Sequence, residues 1–196
     1  MEEFEQIYVL ESLPEEKIRA SPKTLAELEK MNAKSINQNP IPWKQKQENA
    51  INIASLNCMN LNHNHEEIVH DPTLMESTLL AVSETWLDEK TKLYLNGYNV
   101  HFNSVGSGKG LALYYKPGTF TPSADIKQEK MQISKLESGE LEVIQVYRSE
   151  QGNLSELLEH LKNLITPGMT TVVCGDFNIC SMSNKNNKVS QWLDRN

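Results

Sequence analysis

From residue 51 onward the sequence breaks into short apolar runs separated by turn residues, and only one stretch keeps a strong helical period. Runs at 51–57, 78–83, 98–102, 110–115, 131–136, 141–147 and 170–174 have the length and boundaries of strands. The helical stretch is unambiguous. Leu154, Leu157, Leu158, Leu161, Leu164 and Ile165 fall at i, i+3, i+4 and i+7, with Asn153 or Ser155 to open the helix and Pro167-Gly168 to stop it. A weaker helix fits 66–75, interrupted by Pro72. Many strands with few helices predict an α+β fold in which helices cover sheets.

Residues 1–50 have a different grain. An apolar run at 5–10 suits one strand, and Ser12-Leu13-Pro14-Glu15-Glu16 and Ser21-Pro22 are helix-start signals. Leu25, Leu28 and Met31 then predict a short amphipathic helix to about residue 33, before a polar stretch broken by Pro40 and Pro42. The expected organisation is therefore a segment 1–36, a linker 37–50 and a domain 51–196. The formal charge is −7, shared by both halves, so neither is a basic module that wraps nucleic acid electrostatically. An enzyme that places carboxylates around a metal remains open. With no apolar stretch of about 18 residues, no membrane span is expected. The acidic start Met1-Glu2-Glu3 lacks the bases of a secretory signal, and Cys58, Cys174 and Cys180 are too few for a disulfide framework. These features predict an intracellular protein.

Polar residues stand at the ends of the predicted strands. Asn57 closes the first, Glu84 follows the second, Tyr147-Arg148 close the strand before the strong helix, and Gly175-Asp176-Phe177-Asn178 follow the strand after it. Side chains two apart on an extended chain share a face, so Asp176 and Asn178 can enter one pocket. A hard divalent cation wants a carboxylate and neutral oxygens, which Glu84 and Asn57 supply. Phosphoryl chemistry wants a carboxylate to orient or deprotonate water and donors for phosphate oxygens, roles open to Asp176 and Asn178.

Six segments occur in a recognisable order: Ser55-Leu56-Asn57, Val82-Ser83-Glu84-Thr85-Trp86-Leu87, Asn96-Gly97-Tyr98, Gly108-Lys109-Gly110-Leu111-Ala112-Leu113-Tyr114, Val146-Tyr147-Arg148-Ser149 and Gly175-Asp176-Phe177-Asn178-Ile179. Together they resemble the endonuclease/exonuclease/phosphatase superfamily, and within it the endonuclease domains of transposable elements. The resemblance covers about residues 50–196. It implies a DNase-like four-layer α/β/β/α sandwich and Mg²⁺- or Mn²⁺-dependent hydrolysis of DNA phosphodiesters. It also implies roles: Glu84 and Asn57 at the metal, Asp176 on the attacking water, Asn178 on the scissile phosphate, Tyr147 in support and Arg148 on substrate. Residues 1–45 resemble, more weakly, the tail that follows the last helicase motif of Helitron-type transposon helicases.

Family members carry a Ser-Asp-His or Leu-Asp-His motif well beyond Gly-Asp-Phe-Asn. The five histidines here, His63, His65, His70, His101 and His160, all precede it. The expectation is an incomplete sandwich without its final strands, with weak or lost catalysis. Its open sheet edge and exposed apolar face would invite self-association or a protein partner. Two alternatives accompany this reading: a non-catalytic transposon remnant that acts by binding, and a phosphatase of the same superfamily. Among the remaining features, Cys58, His63, His65 and His70 match no zinc spacing and read as a surface loop. Gly106-Ser107-Gly108-Lys109-Gly110 lacks the context of a phosphate loop and reads as a turn. Lys185, Lys188 and Arg195 read as a solvated tail. Trp86 either stacks on a base or packs beneath the site loop.

Overall fold

The computed structural model describes residues 7–11, 50–87, 91–105 and 109–178. The predicted helix near 25–33, the linker and the basic tail lie outside the described residues. Among the described residues nine strands form two sheets. Sheet A runs β1(Ile7–Glu11)-β9(Thr170–Asp176)-β8(Leu141–Arg148)-β7(Met131–Ser138)-β6(Thr121–Gln128). Sheet B runs β2(Ile53–Asn57)-β3(Leu79–Ser83)-β5(Leu111–Tyr115)-β4(Asn99–Asn103). The helices are α1(Leu61–His70), α2(Pro72–Met75) and α3(Leu154–Leu164).

Strand alternation sorts the side chains into three cores, one for each junction of a four-layer α/β/β/α sandwich. Leu79, Ala81, Leu113, Leu136, Val143, Val172 and Cys174 fill the space between the sheets. One residue along, Leu80, Val82, Ala112 and Tyr114 point the other way, onto Leu61 and Ile68 of α1. On the outer face of sheet A, Ile133, Ile144, Val146 and Val173 meet Leu157 and Leu161 of α3. The α+β sandwich expected from the sequence is the fold observed.

Two expectations are corrected. The weak helix begins at Leu61, earlier than predicted, because Asn60 caps it by accepting from the His63 N–H at 3.3 Å. The supposed histidine loop is therefore helix α1. Asp71 then caps α2, with Pro72 at its first position, which is why the two helices divide there. Second, β6 went unread because Pro122 and its charges mask it. As an edge strand with a bulge between Pro122 and Ala124 it tolerates both. On the flank of β9 away from β8, β1 pairs with it in parallel, Ile7 opposite Thr171 through Glu11 opposite Gly175. Among the described residues the exposed large hydrophobics are Ile51, Trp86 and Tyr94, none of them on a sheet face. No helix among them is long and apolar enough to cross a membrane.

Candidate active site

Register carries the predicted residues to one end of the sandwich. Across sheet B, Asn57 lies opposite Ser83, and Ser83 opposite Leu111. Across sheet A, Asp176 lies opposite Tyr147, and Tyr147 opposite Gln132. Asn57, at the end of β2, reaches across the seam between the sheets: its Nδ2 donates to Asp176 Oδ2 at 2.9 Å. The same side chain stands beside the Glu84 carboxyl, while its Oδ1 accepts from the Met59 N–H at 3.2 Å. One amide therefore lies between two carboxylates carried by different sheets.

The electrostatics follow from that closeness. Burial pushes the Glu84 carboxyl above its usual range, and the Asp176 charge adds to the effect; the hydrogen bonds from Asn57 and Trp86 act against it. Burial likewise raises the Tyr147 hydroxyl, reinforced by the charges of Glu84 and Asp176. Asp176 is buried and held by two donors, Asn57 Nδ2 on one oxygen and the Asn178 N–H on the other at 2.9 Å. Each oxygen keeps a lone pair for water.

Every non-glycine residue with positive φ among the described residues belongs to the loops around this site: Met59, Asn60, Glu84, Trp86 and Asn178. Backbone in that region costs about 1–3 kcal/mol per residue and persists only where the surroundings over-determine it. Here they do. The loop after β3 is tied to the β2–α1 loop through Cys58 N–H to Ser83 O at 3.0 Å and Asn60 N–H to Glu84 O at 3.0 Å. Its far side is tied to the start of β5 through Thr85 N–H to Gly110 O at 3.2 Å and Trp86 N–H to Lys109 O at 3.0 Å. Gly110 and Gly175 are obligatory: a Cβ on the first would collide with Thr85 Oγ1, and on the second with the Val146 carbonyl.

Asn57, Glu84, Tyr147, Asp176 and Asn178 thus stand around one seam. Asn178 donates through Nδ2 to the Arg148 carbonyl at 2.7 Å, which leaves its second amide hydrogen and its Oδ1. The Arg148 guanidinium is buried and donates to five backbone carbonyls: Phe177 (2.8 Å, from Nε), Asn178 (2.9 Å, from Nη2), and Gly152 (2.6 Å), Ser149 (3.2 Å) and Glu150 (3.5 Å), which share Nη1. It latches the Gly-Asp-Phe-Asn turn and keeps one Nη2 hydrogen beyond these bonds. A run of carbonyls converging from two loops leaves no mark in the sequence, so no pattern there pointed to this role.

The donor set suits a hard divalent cation. Two part-buried carboxylates repel, as the raised Glu84 carboxyl records, and one amide oxygen stands beside them. Among the described residues no group of three or more His, Cys, Asp or Glu side chains gathers, so a cation here would keep several waters, as Mg²⁺ prefers. Burial pushes the Cys58 and Cys174 thiols up to about 12, which removes both as thiolate ligands or nucleophiles.

No curated protein matches the sequence. Solved structures share the fold. An AP endonuclease from Archaeoglobus fulgidus aligns at 17% identity over 66% of this chain and 58% of its own, with a TM-score of 0.52. The 3′–5′ exonuclease NExo from Neisseria meningitidis aligns at 19% identity over 65% and 57%, with a TM-score of 0.51. The 3′ phosphatase NExo from Neisseria, bound to a product DNA hairpin, aligns at 19% over 66% and 58%, with a TM-score of 0.52. This chain therefore spans less than two thirds of each. The profile of the Endonuclease/Exonuclease/phosphatase family matches residues 54–189, from the middle of β2 to beyond Asn178. The chain belongs to the endonuclease/exonuclease/phosphatase family, whose members are phosphodiesterase- and phosphatase-type hydrolases that generally depend on divalent metals.

Proposed function

We propose that this chain carries the metal and water side of a divalent-metal-dependent DNA endonuclease site of the transposable-element type. One observation carries the reading: Glu84 of one sheet and Asp176 of the other meet around the Asn57 amide, with both charges acting on Tyr147. The ordered Ser-Glu-Thr-Trp-Leu and Gly-Asp-Phe-Asn motifs support the transposon kinship, and sequence alone supports a helicase-tail origin for residues 1–36.

Glu84 and Asn57 would hold Mg²⁺ or Mn²⁺, which when bound would offset the negative charge of the phosphate and polarise it. Asp176 orients the attacking water and takes its proton, since both its oxygens are fixed yet keep free lone pairs. Asn178 donates its second amide hydrogen to a phosphate oxygen. Tyr147 stays protonated because burial and two carboxylates raise its pKa, so it also acts as a donor. The P–O bond opposite the incoming water breaks, and the departing sugar oxygen takes a proton from solvent water. Arg148 acts at one remove, by holding the backbone of Phe177 and Asn178.

Two measurements test this. Mg²⁺ should raise the melting temperature of the wild type but not of Asn57→Ala or Glu84→Gln. Metal-dependent nicking of supercoiled DNA, however slow, should fall about 10²- to 10⁴-fold in Asp176→Asn. A metal-induced shift that survives both substitutions, or cleavage that ignores EDTA, would overturn the reading. DNA affinity without cleavage favours the binding-only remnant, and cleavage of small phosphate esters alone favours the phosphatase.

A further inference from the structure

Trp86 stands 41% exposed between Thr85 at 1% and Leu87 at 2%. This alternation puts Glu84 and Trp86 on the outer side of the loop and turns their neighbours inward. A single exposed aromatic is unremarkable in itself. The backbone beneath it is less ordinary, because Trp86 holds φ +53°, a region that a bulky residue rarely enters. The strained loop is fixed on both faces: Trp86 N–H donates to Lys109 O at 3.0 Å, and Thr85 O accepts from Leu61 N–H at 2.9 Å. The indole lies beside the Glu84 carboxylate. The loop thus holds a large apolar plane in solvent, in contact with a carboxylate of the site. A tryptophan packed for stability alone would turn its ring inward, as Leu87 does.

We infer that Trp86 is a stacking platform for a nucleobase of the strand whose phosphate enters the site, and so the residue that selects nucleic acid over other phosphate esters. The inference rests on the nuclease reading above and sharpens its substrate class. Charge supports it. A chain of net charge −7 draws little affinity for a polyanion from its overall field. Stacking is indifferent to that field and to base identity, because every base presents a π face.

The test measures binding of the full chain to a fluorescein-labelled oligonucleotide and to the all-abasic strand of the same length. Fluorescence anisotropy with Ca²⁺ in place of Mg²⁺ separates binding from cleavage. The wild type should bind the base-bearing strand the more tightly. Trp86→Ala should weaken that binding roughly 5- to 150-fold and leave the abasic strand unaffected, whereas Trp86→Phe should stay within about threefold of the wild type. Trp86→Phe keeps a ring but loses the indole N–H, so it separates stacking from the contact with Glu84. If Trp86→Ala binds the base-bearing strand as the wild type does, or weakens both strands alike, the platform is wrong while the nuclease reading stands. A wild type with affinity for neither strand would sink both.

Discussion

Glu84 sets the charge balance of the site. Its carboxyl is raised by burial and by Asp176, so in the absence of a cation folding binds a proton at this group more tightly than the unfolded chain does. The sign follows from linkage: this contribution to stability is complete below the ordinary glutamate value of 4.5 and is lost as pH rises through the higher folded value. In EDTA, Glu84→Gln should therefore gain stability over the wild type as pH rises through that window, by up to about 1 kcal/mol. Mg²⁺ should close the gap. Thermal melts of both proteins from acid to neutral pH check this, and a pH-independent difference would refute it. The sequence revealed these residues because each sits at a strand exit inside an ordered motif. It could not reveal Arg148, whose partners are main-chain carbonyls that any residue types would provide.

Helix α3 was legible from its leucines and from Asn153, which accepts from the Ser155 N–H at 3.0 Å. What holds its far end was not. Lys135 of β7 sits on the face of Met131 and Ile133, buried beneath the helix terminus. Its ammonium donates to Leu164 O at 2.8 Å and Thr166 Oγ1 at 2.7 Å, and pairs with Glu142 at 2.7 Å. Burial alone would raise the Glu142 carboxyl, but Lys135, Thr171 and Thr166 together hold it below its usual range. That stability is present above 4.5 and lost as pH falls through the lower folded value. Lys135→Met strands a buried carboxylate and should cost about 3–5 kcal/mol in denaturant unfolding, while Lys135→Met with Glu142→Leu should recover most of it. Equal losses in the single and double variants would show that the pair is not the cause. Nothing in the sequence pairs these two charges, because only the diagonal register of β7 on β8 brings them together.

At the scale of the molecule, the layers were legible and the closing strand was not. The apolar run near the start read as a strand, yet its partner β9 lies at the other end of the domain, beyond the reach of any local pattern. β1 adds several main-chain hydrogen bonds, each worth about 1 kcal/mol, and covers an edge that would otherwise template pairing between chains. Deleting residues 1–11 should lower the melting temperature and produce concentration-dependent association in sedimentation velocity. An unchanged melt and a monomeric profile would deny β1 any structural weight.

The collision that forbids a side chain at Gly175 has a broader outcome than one tight contact. Sliding β9 by a single position would turn Asp176 away from Asn57 and bring a bulky neighbour against the Val146 carbonyl, so the strand has one seat and no neighbouring one. Competence at this centre is therefore all-or-none: a half-assembled chain holds no weakened version of the reactive arrangement.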